Sequence, residues 1–257
     1  MKFSFYKYQG TGNDFVIIDN RQLFFSKNNT KLIAQVCDRK FGIGADGLIL
    51  LENHPTLDFN MVYYNADGHQ SSMCGNGGRC LVHFANFLNI IENKAVFEAI
   101  DGIHTAQIDD DIVSLKMNDV PLVQLEKDYT FLDTGSPHHV TICESLDQLD
   151  IQTEGARLRN NLYGKEGANI NFVKQVDENT FRVRTYERGV EAETLSCGTG
   201  VTAVAIAMHA NGNSSLNEIN LKTPGGDLKV QFQKEGSHYT NIYLIGPAVQ
   251  VFKGEWK

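Results

Sequence analysis

The sequence predicts an α+β fold of two homologous lobes, each a mixed, mainly antiparallel sheet wrapped around one central helix. Three observations carry this: glycine clusters that recur at one fixed spacing, short apolar runs of strand length, and two helix patterns that each open on a Cys-Gly pair.

Glycine supplies 23 of the 257 residues and is grouped. The groups are Gly10-Thr11-Gly12-Asn13-Asp14-Phe15, Gly42-Ile43-Gly44-Ala45-Asp46-Gly47, Cys74-Gly75-Asn76-Gly77-Gly78 and Cys197-Gly198-Thr199-Gly200. An offset of 123 residues carries Cys74 onto Cys197 and Tyr63 onto Tyr186, so both segments read Y-x10-C-G-x-G. The same offset carries Gly12-Asn13 onto Gly135-Ser136, Gly44-Ala45-Asp46 onto Gly167-Ala168-Asn169, and Gly102 onto Gly225. Two copies of a unit of about 120 residues are too few and too long for a solenoid, and two lobes facing each other is the economical arrangement.

The elements follow in order. Apolar runs at 15–19, 48–51 and 60–64 read as strands, as do 171–174 and 181–185 in the second copy. Residues 74–91 predict a helix whose stripe is Leu81, Val82, Phe84, Ala85 and Leu88. Residues 199–210 are almost all small or apolar, and a helix apolar all round belongs in the middle of its lobe.

Composition sets the class. At ~150 residues per domain the length falls between one and two domains. With 42% hydrophobic and 21% charged residues, the chain is globular rather than disordered. A core of this size needs no disulfide or metal staple. The balance of 23 basic against 31 acidic residues, net −8, argues against a nucleic-acid or anionic-membrane partner. No window approaches the ~18 apolar residues of a spanning helix. Residues 1–7 lack the apolar core of a signal peptide, so the expected location is cytoplasmic. The five cysteines form no C-x-x-C pair. Cys37, Cys80 and Cys143 read as reduced core thiols.

Cys74 and Cys197 differ, because each precedes a helix. Unpaired N–H groups and the helix dipole make such an end electropositive, and Gly75, Asn76 and Gly77, like Gly198, Thr199 and Gly200, let a backbone approach an anion closely. The same field favours a thiolate, and a thiol near its pKa is a good proton donor or acceptor. Two such thiols on opposing lobes can invert one carbon. The plainer readings are a structural role for both, a metal site using Cys74, Cys80 and His83, and a 74–197 disulfide in an oxidised, inactive form. The metal reading lacks a zinc-like spacing and a second ligand pair, and no metal is expected. Asn13, Asn65, Asn169, Glu187 and Arg188 flank the glycine groups. They read either as turn residues and a surface ion pair or as recognition of a polar ligand. His138-His139 is open between an acid–base pair and a structural role.

Gly10-Thr11-Gly12-Asn13-Asp14-Phe15, Asn65-Ala66-Asp67-Gly68, Cys74-Gly75-Asn76-Gly77, Tyr186-Glu187-Arg188-Gly189 and Cys197-Gly198-Thr199-Gly200 together resemble the diaminopimelate epimerase family, in order and as far as about Gly254. The resemblance implies an isomerase with two pseudo-twofold lobes, no cofactor and a homodimeric assembly. Its substrate would be the small molecule diaminopimelate, LL and meso forms interconverting on the route to lysine and peptidoglycan. It implies that Cys74 and Cys197 are the catalytic acid/base pair. Gly75, Asn76, Gly198 and Thr199 would cradle the reacting carboxylate, while Asn13, Asn65, Asn169, Glu187 and Arg188 hold the substrate, chiefly its distal end. An Arg and a Glu suit a distal carboxylate and ammonium.

Two positions depart from the family pattern: Ser136 stands where many members have Asn, and Gly47 where some have Gln. The expected lobes are residues 1–117, joined by a C-terminal strand at 247–257, and residues 118–246. The rival readings are a proline-racemase-like enzyme, which tends to carry His where Asn76 stands, and a phenazine-biosynthesis-type isomerase, which lacks the cysteine pair. A non-catalytic amino-acid-binding protein is a third.

Overall fold

The computed structural model describes residues 2–257. In chain order come β1 (Phe3–Gly10), β2 (Asn13–Asp19), α1 (Thr30–Cys37), β3 (Gly47–Glu52), β4 (Phe59–Asn65), α2 (Gly75–Phe87), β5 (Lys94–Ala99), β6 (Gly102–Asp109) and β7 (Ile112–Lys116). There follow β8 (Val123–Leu125), β9 (Thr130–Asp133), β10 (Pro137–Ile142), α3 (Ile151–Tyr163), β11 (Asn169–Gln175), β12 (Thr180–Glu187), β13 (Ala192–Thr194) and α4 (Gly198–Ala210). The last strands are β14 (Glu218–Thr223), β15 (Gly226–Glu235), β16 (His238–Pro247) and β17 (Val249–Trp256). Two compact units result, Met1–Leu115 with Gly246–Lys257, and Lys116–Ile245.

Both units are built to one plan. In the first, β1–β2 is antiparallel, β2–β3 parallel, β3–β4 antiparallel, β4–β5 parallel, and β5–β6–β7 antiparallel. In the second, β9–β10, β10–β11, β11–β12, β12–β14 and β14–β15–β16 repeat that alternation. A parallel step needs a crossover, and a helix supplies each one: α1, α2, α3 and α4. β17 returns to pair with β1. The α+β class and the repeat are as the glycine spacing predicts.

The apolar runs are continuous because both faces of the inner strands are covered. Every residue of β3 is buried. Val16, Ile18, Leu48, Leu50, Val62 and Tyr64 join Ile33 and Val36 of α1 in one cluster. The alternate residues face α2, where a Cβ on Gly77 would lie 3.1 Å from Ile49 and 3.4 Å from Phe15. In the second unit Ile170, Phe172 and Tyr186 pack with Ile151 of α3. The central helices reach strands across their own units, α2 touching β1, β2, β3, β6 and β17, and α4 touching β9, β10, β11, β12, β14 and β15. Val201 to Met208 are buried without a break.

Two expectations need correction. The helix predicted over 74–91 ends at Phe87, because Asn89 turns left-handed at φ 54°. The Asn89 and Ile90 N–H groups bond back to the Asn86 and Ala85 carbonyls at 2.9 Å each, a Schellman ending. Gly212, at φ 77°, ends α4 the same way. Gly102 (φ 124°) matches Gly226 (φ 140°) rather than Gly225, so the repeat slips by one residue at the hairpin after the central helix.

His138 and His139, on β10, are both buried. His138 lies against the Asn171 amide at 3.2 Å. His139 bonds the Tyr163 hydroxyl at 2.8 Å and stacks on Tyr129 at 4.4 Å. Burial, helped by the charge of Arg188, pushes His138 down to about 3. Burial alone pushes His139 to about 4. Neither changes charge near neutrality, which fits the structural reading of the pair.

Two predictions follow from this packing. On α3, a Cβ at Gly155 would sit 2.4 Å from the Tyr186 Cβ, so Gly155→Ala should lower stability by about 1–3 kcal/mol despite alanine's better helix propensity. A urea midpoint equal to that of the unaltered protein would show that α3 can move off the sheet. The histidines make stability pH-dependent. Below about 6.5 the unfolded chain protonates them and the folded chain does not, so stability is full above that pH. It falls towards pH 4 by about 1.4 kcal/mol per pH unit for each histidine. Thermal melts between pH 4 and 7 should show this slope, and His139→Phe should flatten it by about half.

Candidate active site

The first unit presents Cys74 as the N-cap of α2, with extended backbone (φ −94°, ψ 127°) and no capping bond from its side chain. The first intrahelical bond runs from the Gly78 N–H to the Cys74 carbonyl at 2.7 Å, leaving the N–H groups of Gly75 to Gly77 outside the helix ladder. Cys74 Sγ donates to Asn13 Oδ1 at 3.4 Å, and Asn76 Nδ2 donates to the same oxygen at 3.3 Å. Asn13 Nδ2 donates to Asp46 Oδ2 at 2.6 Å, which fixes the amide with its oxygen towards the thiol.

Asp46 is held by Arg39 at 2.7 Å, and Arg39 also grips Asp14 at 2.7 Å. Burial tends to raise the Asp14 carboxyl, but hydrogen bonds from Arg39 and Lys7 outweigh it and hold the group at about 2. Asn65, the end of β4, closes a turn through its backbone, its carbonyl accepting from the Gly68 N–H at 2.9 Å. The Asn65 side chain is exposed, and the structure does not join it to the Cys74 cluster. At Gly47 the room for a side chain is taken: a Cβ there would lie 2.5 Å from the Tyr63 ring.

The second unit presents Cys197 in the same way, as the N-cap of α4 (φ −117°, ψ 112°), its side chain making no capping bond. The Val201 N–H bonds its carbonyl at 2.9 Å, at the offset of 123 from Gly78. Sγ lies 3.5 Å from Thr199 Oγ1, and the Thr199 carbonyl accepts from Thr134 Oγ1 at 2.9 Å. Gly198 is buried, and Gly200 must stay glycine, since a Cβ would lie 2.7 Å from Asn171 Oδ1.

Asn169, Arg188 and Ser136 are brought together. Asn169 Nδ2 donates to Ser136 Oγ at 2.9 Å, the Arg188 N–H donates to Asn169 Oδ1 at 2.9 Å, and Arg188 Nη2 reaches Ser136 Oγ at 3.4 Å. Arg188 Nη1 bonds the Glu166 carbonyl at 3.0 Å. Glu187 accepts from Thr194 Oγ1 at 2.9 Å.

Burial raises both Cys37 and Cys80 to about 12. His83 is engaged by Tyr8 at 3.2 Å and Asp111 at 3.1 Å. Sequence reasoning missed Thr11, Asp46, Arg79, Thr134, Asn171 and Thr194. Two of them carry a legible signal: Asn171 interrupts an apolar strand, and Arg79 stands three residues from Asn76 inside a stretch of glycine and core residues.

Residues 5–123 and 130–251 match the sequence profile described as diaminopimelate epimerase. A diaminopimelate epimerase of Flavobacterium psychrophilum is 60% identical over 250 residues, covering 96% of this chain and 98% of that one. One from Chlorobaculum tepidum is 40% identical over 257 residues, covering 95% and 98%. Among solved structures, a phenazine biosynthesis protein of the PhzF family from Bacillus anthracis superposes with a TM-score of 0.80 over 100% of this chain and 99% of that one. At 13% identity this is a likeness of fold alone. A hydroxyproline epimerase from Agrobacterium vitis gives 0.68 at 13% identity, over 99% and 92%. A profile match over nearly the whole chain, and a relative at 60% identity with the same span, place this chain in the diaminopimelate epimerase family.

Proposed function

We propose that the chain interconverts LL- and meso-diaminopimelate by a two-base mechanism in which Cys74 and Cys197 act as thiolate and thiol in turn. The observation that carries this reading is the matched pair of N-cap cysteines, each with a side chain not spent on capping, at the offset that relates the two units. The reading also takes the two units as lobes that close on the substrate, a homodimeric assembly and a cytoplasmic location. No helix of the described residues is long and apolar enough to cross a membrane.

The steps follow from the chemistry of the groups. On this reading the α-carboxylate is held by first-turn N–H groups, those of Gly75 and Asn76 from α2 and those of Gly198 and Thr199 from α4. Closure excludes water and strengthens those dipoles on the charge that develops at the α-carbon. One thiolate takes the α-proton, the opposite thiol returns a proton on the other face, and the centre inverts. The pair ends with its protonation exchanged. Arg188 meets the distal carboxylate and Glu187 the distal ammonium, with Asn169 bracing the Arg188 backbone and Asn13 and Asn65 completing the polar contacts. Acid and base both come from the chain, so the reaction calls for no cofactor.

Replacing either cysteine by serine should lower kcat at least about 100-fold, since a hydroxyl is a far weaker acid and base than a thiol. Full activity in Cys74→Ala would sink the two-base reading. In heavy water, LL-diaminopimelate should give product carrying deuterium at the α-carbon. Turned-over product without label would exclude exchange at the thiols. Run beside it, L-proline should be inert, and turnover of proline instead would move the chain to the rival racemase reading.

A further inference from the structure

The central helices match in N-cap residue, first hydrogen bond and ending, but not in charge. At the offset of 123, Arg79 of α2 stands where α4 has Thr202. Thr202 is buried and neutral, and its hydroxyl bonds back to the Gly198 carbonyl at 2.9 Å. Arg79 is a whole cation at 0% exposure. Its Nη2 donates to Asn76 Oδ1 at 3.1 Å and to Thr11 Oγ1 at 3.4 Å, while Nε and Nη1 have no hydrogen-bond partner. A buried guanidinium ordinarily has a carboxylate beside it, and among the described residues none pairs with Arg79.

Burial pushes the guanidinium down from its ordinary value, and Cys80 and Cys74 pull it back up. That attraction is mutual. Cys80 is raised to about 12 by its own burial and stays neutral, which leaves Cys74 as the thiol able to carry the balancing anion.

The other charges around this helix end do not cancel the effect. On the β3 side Asp46 is paired with Arg39, and on β2 Asp14 is paired with Arg39 and Lys7. Asp101, ahead of β6, accepts from the Met73 N–H at 3.4 Å and lies 3.3 Å from the His104 ring, but it is exposed and water screens its charge. His83, Asp111 and Tyr8 form their own group at the later turns of α2. Asn13 Oδ1 favours the protonated thiol, yet one long S–H···O contact is worth far less than an unscreened buried charge. In the second unit, β10 offers a histidine held neutral by burial, and β12 offers Glu187 with Thr194 and an Arg188 directed to Ser136 and Glu166. At the far end of α4 stands His209, bonded to Tyr239.

We propose that Arg79 is a positioning residue that makes the two helix ends electrically unequal, so that in the ligand-free protein Cys74 is carried as thiolate and Cys197 as thiol. This rests on the two-base reading for its meaning in catalysis, but its test reads charge and not turnover.

The experiment is the pH dependence of iodoacetamide alkylation of the full chain from pH 5 to 10, resolved by peptide mass spectrometry and scaled to each site's own plateau. In the unaltered protein the Cys74 midpoint should lie at least about one pH unit below that of Cys197. Arg79→Gln keeps a donor for Asn76 and removes the charge. It should raise the Cys74 midpoint by about one unit or more without raising that of Cys197, and Arg79→Lys should keep it low. Equal midpoints in the unaltered protein, or a lower one at Cys197, overturn the proposal whether or not any variant folds. A folded Arg79→Gln with an unmoved Cys74 midpoint overturns it too. Unequal midpoints together with failed deuterium labelling would remove the two-base reading and leave the charge asymmetry standing.

Discussion

Each unit buries the start of a helix in the middle of a sheet, and most other features of the chain answer to that constraint. A helix start carries N–H groups that its own ladder cannot satisfy, and burial denies them water. Gly75, Asn76, Gly77 and Gly78 are all buried, as are Gly198 and Gly200. The first turns approach this closely because they lack side chains: a Cβ on Gly78 would lie 3.1 Å from the Met73 sulfur, and one on Gly200 would strike Asn171. Each unit thereby holds the first turn of a glycine-rich helix close against its sheet, with a cysteine as that helix's N-cap.

The two units meet the cost of polar groups in the core by different means. The second uses neutral partners. Asn171 links the His138 ring, the His139 carbonyl and the Thr185 hydroxyl, so each amide atom is used and no charge enters. The first uses ions, with Arg39, Lys7, Asp14 and Asp46 at the rim and Arg79 beneath it, joined through the Asn13 and Asn76 amides. Both amides are oriented by a charged group, Asp46 at one end and Arg79 at the other. Duplication thus preserved the backbone plan while the electrostatics of the two halves diverged.

Legibility in the sequence followed burial. β2, β3, β4 and β11 read as strands because they are covered on both faces and their central side chains are apolar almost without interruption, and β12 because buried Phe181, Val183 and Thr185 alternate with the partly exposed Arg182 and Arg184. α3 escaped notice because it is a surface helix: of Ile151–Tyr163 only Ile151 and Gly155 are fully buried. The half-exposed strands β5, β6 and β7 alternate buried and exposed residues over short spans, a weak signal beside the glycine groups. The overrun of α2 has one cause: Leu88 and Ile91 keep the helical spacing, but the chain has already turned at Asn89.

By itself the sequence determined the repeat, the paired N-cap cysteines and the family, because these depend on spacing along the chain and on glycines that only certain backbones require. Tertiary structure alone decided the charge and direction of the polar groups. Asn13 turns its oxygen to Cys74 because Asp46, thirty-three residues away, takes its nitrogen. His138 and His139 stay neutral because burial withholds the water a cation needs. Arg79, read in sequence as one residue of a helix, is in the fold a cation that no carboxylate among the described residues pairs. Spacing is local and survives in one dimension, whereas desolvation and the choice of a partner exist only once distant segments have met.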